Sequence, residues 1–412
     1  MAVLMLQGPL GPFFSHLSHE IAAQGDRVYR ISFNGGDRFY QRCKGKVTCI
    51  DFNQSPEQWP QFLTEVVTRY GIRLVIAYGD CRLYHIDAKH ICLKNNLAYV
   101  AFEEGYLRPN YITLEKGGVN AHSPISHSAV DAYRPVHTVK DEEVVPANFL
   151  KRLEFAILYY LACRFLHFKY AGYKHHRGTS PIYEGFCWVR AGVRKLMYKA
   201  FEKSAQQLTH ERPCFLVPLQ VHNDAQIRYH SHYDSMEGFI VEVMESYAKA
   251  KPDADLIIKH HPMDRGYVNY RRLIRDMAKR LGISKHVRYI HDQHLPTLLK
   301  STLGVITINS TTALQAFYHG APVKVMGRAF FDMPGLTDQK TLREFWSYPE
   351  APDPVFADRF RAYLLDHGQI NGSFYCEFEK TTQRVVAELY RLGLLKSGSG
   401  SEMDTQRQSV GF

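Results

Sequence analysis

A chain of 412 residues is too long for one ordinary hydrophobic core and suits two domains of near-average size. Its 45% hydrophobic and 22% charged residues are the balance of a soluble globular protein, which excludes the fibrous and disordered classes. A formal charge of +10 leaves a surplus for anionic partners, whether nucleic acid, nucleotide-sugar or acidic membrane surface. No apolar run reaches the length of a bilayer span. The opening run Ala2–Gln7 is too short for a signal sequence and has no basic flank, so it reads as a buried strand in a cytoplasmic protein. Eight cysteines form no C-x-x-C pair, so free buried thiols in a reducing compartment are expected, without a zinc site or a disulfide framework.

In chain order, the strand Ala2–Gln7 leads to a helix at Phe13–Ala23, with Phe14, Leu17 and Ile21 on one face. A strand at Arg27–Phe33 ends in the turn Asn34-Gly35-Gly36-Asp37. A helix at Trp59–Tyr70, a strand at Leu74–Tyr78, a short helix at Tyr84–Leu93 and a strand at Ala98–Phe102 follow. Strands alternating with helical patterns indicate parallel βαβ units. From Glu143 to Leu208 the pattern is mostly helical, broken by the basic loop Tyr173–Gly178.

Alternation resumes with strands predicted at Cys214–Pro218, Asp255–Lys259, Val287–Ile290, Leu303–Ile308 and, last, Val323–Met326. Helices at Ser235–Ala250, Tyr267–Leu281, Leu295–Lys300 and Thr312–His319 separate them. The expectation is an α/β protein with two Rossmann-type domains, an interdomain cleft and a helical middle segment. Its parts are 1–210, 211–395 and a disordered tail at 396–412, low in apolar content. The first turn is not G-x-G-x-x-G, which argues against a dinucleotide oxidoreductase.

Ligands of open α/β sheets bind at the carboxyl ends of strands. Two such ends stand out. Lys259-His260-His261-Pro262 closes one apolar run, and Asn309-Ser310-Thr311-Thr312 closes another and opens a helix, whose first N–H groups favour a phosphate. Proline fixes the turn, and an imidazole can donate to a phosphate oxygen. A satisfied core histidine and ordinary N-capping are the plainer readings.

Glu103 and Glu104 follow the strand at Ala98–Phe102, where burial and like charge can raise one pKa for acid–base work. Adjacent residues of an extended segment face opposite ways, so at most one enters a cleft, and solvated loop acids or a turn cap explain the pair about as well. Asp224 follows Cys214–Pro218 and suits a nucleophile or base, although an Asx-turn or a helix N-cap is the plainer reading of its spacing. The loops bearing Gly8 and Gly11, and Asn34, Gly35, Gly36 and Asp37, could admit an acceptor or a sugar, although tight turns explain them nearly as well. The cluster His175-His176-Arg177 could grip a phosphate or an acidic sugar, or be a solvated loop.

Together these residues resemble the bacterial capsule polysaccharide synthesis and export family, in its KpsS/LipB branch. The likeness is carried by Leu6–Phe14, Phe33–Asp37, Phe102–Pro109 (which includes Arg108), Pro218–Val221, His260–Pro262 and Asn309–Ala313. It implies a GT-B β-Kdo transferase that moves Kdo from CMP-β-Kdo to a lyso-phosphatidylglycerol-type lipid, starting the β-Kdo linker of a capsule. By motif, the acidic pair falls on Glu103 and Glu104, the His-Pro on His261 and Pro262, and the phosphate-binding hydroxyls on Ser310 and Thr311. Related retaining enzymes place an aspartate after a Q-V-x-x-D run, here Asp224. Some relatives have Lys-Pro-His-Pro where this chain has Lys259-His260-His261-Pro262, which makes either histidine a possible ligand.

The resemblance further implies partners among other capsule synthesis and export proteins. A cationic chain without a span would bind the inner-membrane surface peripherally, through charge and in a salt-sensitive way. No D-x-D motif stands out, so no cofactor or metal is expected. The alternative is a non-catalytic scaffold coupling polymer synthesis to export. Nucleic-acid binding rests on net charge alone, without a stripe of basic and aromatic residues.

Overall fold

Alternate residues of the first run split between two faces: Val3 and Met5 enter one core, while Ala2, Leu4 and Leu6 enter another. A strand buried on both sides needs helices on both sides, and the computed structural model shows this in each of two α/β units. It describes residues 1–134, 142–174 and 181–395. The cluster His175-His176-Arg177 and the tail 396–412 therefore lie outside the described residues.

The strands are β1 (Ala2–Met5), β2 (Arg27–Ser32), β3 (Val47–Asp51), β4 (Leu74–Tyr78), β5 (Ala98–Glu104) and β6 (Tyr111–Lys116). After them come β7 (Cys214–Pro218), β8 (Asp255–Lys259), β9 (Val287–Ile290), β10 (Thr302–Thr307), β11 (Val323–Val325) and β12 (Gln369–Asn371). The first unit holds a sheet of order β12-β6-β5-β4-β1-β2-β3, the second a sheet of order β11-β10-β7-β8-β9. Every pair in the second sheet is parallel. In the first, β5–β6 and β6–β12 are antiparallel. Each unit thus runs outward from a central first strand in both directions. The reversal, or topological switch point, lies between β1 and β4 and between β7 and β10.

The division of the chain differs from a boundary at residue 210. Described residues 1–119, 142–174 and 365–395 form one unit, and 120–134 with 181–364 form the other. The reason is β12. Ile370 pairs with Ile112, and Val385, Val386 and Leu389 of the helix Phe378–Arg391 cover the first core. Val323–Val325 is accordingly not the last strand. β3, β6 and β12 escape sequence reading because the two edges hold short, partly polar runs such as Tyr111–Lys116 and Gln369–Asn371.

Two further expectations are corrected. Asn34–Asp37 is the start of a helix, Gly35–Tyr40, capped by Asn34, whose side chain accepts from the Asp37 N–H at 2.9 Å. Cys43 and Cys49 are joined as a disulfide, with Cα atoms 5.9 Å apart, because the chain folds back before β3 and brings a C-x5-C pair together. The other six cysteines are free, and all but Cys163 are buried.

Candidate active site

In the first unit, Gln7 stands two residues past β1, at the switch point. Its carbonyl accepts from Arg82, beyond β4, at 3.0 Å, and its amide donates to Asp37 at 3.1 Å and to the Tyr159 and Tyr173 hydroxyls at 3.1 and 3.2 Å. Asp37 also accepts from the Phe33 N–H and the Tyr159 hydroxyl, both at 3.1 Å. Burial raises its pKa to about 6.

The loop residues thus join three strand ends to the helix Phe149–Phe165. Gly36 shows the constraint: a Cβ there would meet the Tyr159 ring at 2.4 Å, and one at Gly35 would meet the Ala162 carbonyl at 2.2 Å. Gly8 and Gly11 line a small cavity of about 10 Å³ with Arg30 and Asp37, room for a single water. The Arg30 guanidinium is buried there, and its Nε and one Nη have no hydrogen-bond partner among the described residues.

Glu103 and Glu104 end β5 opposite Thr113 and Ile112 of β6, on the two faces of the sheet. Their surroundings differ. Glu104 accepts from the Tyr375 hydroxyl at 3.1 Å and the Tyr78 hydroxyl at 3.3 Å, with Arg152 at 3.7 Å. Glu103 accepts from the Glu104 N–H at 2.9 Å, and burial raises its pKa to about 7, with the Glu104 charge adding to the rise. Of the pair, Glu103 is the one whose carboxyl is raised toward neutrality. Arg108 is exposed and folds back on the Gly105 carbonyl at 3.1 Å.

The second unit repeats the first unit's device. Gln220, two residues past β7, reaches across its switch point. Its amide donates to Asn309, beyond β10, at 2.9 Å and to Asp224 at 3.3 Å, while its carbonyl accepts from the Asn309 N–H at 3.2 Å. Asp224 caps the helix Ala225–His230 through the Gln226 N–H at 2.9 Å, so the N-cap reading is correct as geometry. Burial, with the Asp264 charge adding to it, holds its carboxyl above the usual range. An N-cap and a nucleophile are compatible, because the cap engages one oxygen and the single bond from Gln220 leaves the other a lone pair.

The two adjacent histidines separate. His260 is buried, its Nδ1 is 2.7 Å from the Tyr289 hydroxyl, and burial lowers its pKa to about 4. His261 is partly exposed and begins the turn Pro262–Asp264. The Met263 N–H donates to its Nδ1 at 3.1 Å, which puts the ring proton on Nε2. Ser310 accepts from the Thr312 N–H at 3.2 Å and lies 3.1 Å from the Thr312 hydroxyl, while Thr311 precedes the helix Thr312–Tyr318 without a side-chain cap.

Sequence reading did not single out Gln220, His222 and Asp264, which the structure joins to the candidate residues. The first two lie inside the Gln220–Asp224 run, which was the available signal. Asp264 has none, because its role appears only when the turn after β8 folds against the loop after β7.

Two Rossmann-type units, each with polar side chains gathered at its switch point, make a GT-B-like fold. The chain belongs to the family described as capsule polysaccharide biosynthesis protein, which matches residues 73–375. It is 40% identical over 378 residues to the capsule polysaccharide export protein KpsS of Escherichia coli, covering 90% of this chain and 96% of that one. It is also 40% identical over 385 residues to the capsule polysaccharide modification protein LipB of Neisseria meningitidis serogroup B, covering 91% and 92%. Among solved structures, the β-Kdo 2,7 transferase KpsC of Thermosulfurimonas dismutans aligns with a TM-score of 0.42 at 14% identity, over 94% of this chain and 99% of that one.

Proposed function

We propose that this protein is a retaining glycosyltransferase that moves Kdo from CMP-β-Kdo to a lyso-phosphatidylglycerol-type acceptor, as the first step of a capsular β-Kdo linker. Membership of the capsule family supports the substrate class. One observation carries the assignment to this chain: Gln220 ties the Asp224 carboxylate and Asn309 into a single hydrogen-bonded group at the switch point, where open α/β sheets bind ligands.

In this reading His261, with its proton on Nε2, donates to the CMP phosphate beside Ser310 and Thr311. Neutralising that phosphate makes CMP a good leaving group. Asp224 attacks the anomeric carbon, the carbon–phosphate oxygen bond breaks, and the electron pair leaves with CMP. The acceptor hydroxyl oxygen then attacks the same carbon, the bond to Asp224 breaks, and Glu103 takes the hydroxyl proton. Two inversions give retention. Tyr78, Tyr375 and Arg152 fix Glu104 in a supporting place.

The test is direct. Purified protein incubated with CMP-Kdo and a fluorescent lyso-phosphatidylglycerol should yield a product heavier by one Kdo residue, and Asp224→Asn should yield none. No product from the unaltered protein would favour a scaffold that couples synthesis to export.

A further inference from the structure

The helix Pro181–Phe201 touches its own unit along one stripe only. Glu184 and Cys187 are buried there, Arg190 and Arg194 donate to the Gly266 and Arg265 carbonyls at 2.5 and 2.8 Å, and Tyr198 stacks on His291 at 3.6 Å. The opposite side carries Phe186, Val189, Val193 and Leu196 at the i, i+3, i+7, i+10 spacing of a single helical face, and these side chains are 55–71% exposed. A soluble helix puts charge on that face. More than half of the large exposed apolar side chains among the described residues lie either here or in 149–168. Exposure is therefore concentrated on one segment of each unit rather than scattered, as at an interaction surface.

The chemistry of the flank selects the partner. Lys195 and Lys199 stand exposed beside the apolar face, and the one acidic residue of the helix, Glu184, is buried on the other side. Apolar residues flanked by lysine, with no exposed carboxylate, match the interfacial zone of an anionic bilayer. The helix Phe149–Phe165 of the first unit repeats the outward apolar spacing with Leu150, Ile157, Leu161 and Phe165, but Glu154 interrupts it. The inference accordingly stands on Pro181–Phe201. No helix among the described residues is long and apolar enough to cross a membrane.

We propose that Pro181–Phe201 lies flat in the surface of an anionic phospholipid bilayer, with Phe186, Val189, Val193 and Leu196 among the acyl chains and Lys195 and Lys199 at the head groups. The choice of a lipid occupant rests on the lipid-acceptor reading above as well as on the basic flank. Attachment is then apolar as well as electrostatic, unlike the purely charge-based association that composition suggests.

The full-length protein would be sedimented with phosphatidylglycerol–phosphatidylcholine vesicles at low salt and at about 1 M salt, where the Debye length is roughly 3 Å. Binding should persist at high salt. The combined change Val189→Ser, Val193→Ser and Leu196→Ser should lower partitioning about ten-fold or more while leaving thermal unfolding unchanged. In a separate variant, Val193→Trp should show a blue-shifted emission component when vesicles are added.

Binding abolished by salt, equal partitioning of the triple variant, or no spectral shift would overturn the proposal. So would light scattering that shows a dimer turned into monomer by the triple variant with vesicle binding unchanged, since the face would then join two copies. These readouts need no sugar donor, so failure of Kdo transfer would leave them standing, and the converse holds.

Discussion

Asp264 holds His222 at two points: one carboxylate oxygen accepts from the His222 N–H at 2.6 Å, and the other lies 2.7 Å from the ring Nδ1. A carboxylate accepts, so the ring carries its proton on Nδ1, which leaves Nε2 of the neutral ring as an acceptor atom. His261, three residues earlier than Asp264, has the opposite arrangement, because Met263 donates to its Nδ1. The second unit therefore holds one imidazole with its proton on Nδ1 and another with its proton on Nε2, each set by a residue of the turn Pro262–Asp264.

Asp264→Asn should release that control. The amide keeps the size but loses one acceptor of a buried group, at a cost of about 1–3 kcal/mol in urea unfolding. Nitrogen chemical shifts of His222 should move toward a mixture of tautomers. An unchanged tautomer in a variant of unchanged stability would show that Asp264 positions nothing.

Asp224→Asn is the sharpest test of the covalent mechanism. Asparagine caps a helix as well as aspartate does, so the helix Ala225–His230 and the fold should persist. Transfer should be abolished while CMP binding by calorimetry stays nearly intact. Glu103→Gln should instead accumulate a Kdo–enzyme adduct, visible in intact mass. A product of inverted configuration would remove Asp224 as nucleophile.

Glu103 should dominate the pH profile. As a base it works only when ionised, so transfer should rise as pH passes through about 7, and Glu103→Gln should lose that limb with the activity. Stability should run the other way. Between the ordinary value of 4.5 and about 7 the fold keeps a proton that the unfolded chain has released, so stability falls as pH rises through that window. Chemical unfolding of Glu103→Gln across this range should show a shallower slope, the remainder coming from buried Asp37.

His261→Ala should weaken CMP binding by about 1–3 kcal/mol, the loss of a charge-assisted hydrogen bond. His260→Ala is a contrasting case. It opens a buried hole beside Tyr289 and should lower the melting temperature more than it lowers CMP affinity. Equal effects on affinity would return both histidines to the site.

Gly36→Ala should destabilise by about 1–3 kcal/mol, because its methyl group would strike the Tyr159 ring and push the helix Phe149–Phe165 away from Asn34 and Asp37. Differential scanning calorimetry would read the loss. A variant as stable as the parent would show that this ring has room to move.

Sequence alone determined the parts of this protein whose structure is local. Short apolar runs bounded by polar turns located β1, β4, β7, β8 and β9, and the helices Phe13–Ala23 and Trp59–Tyr70 follow from i, i+3, i+4 apolar spacing with turn signals beside them. The motif residues also placed Glu103, Asp224 and His261 at strand ends, where a parallel sheet collects ligands. Tertiary structure decided everything that depends on distant segments meeting. It paired β12 with β6 across more than two hundred residues of chain and so returned the C-terminal helix to the first unit. It also buried His260 while leaving its neighbour partly exposed, brought Asp264 to His222 and joined Gln220 to Asn309. The physical reason is that burial and side-chain hydrogen bonding depend on which elements pack together. Residues of the same type, such as the adjacent histidines or the adjacent glutamates, differ only in what the fold sets against them.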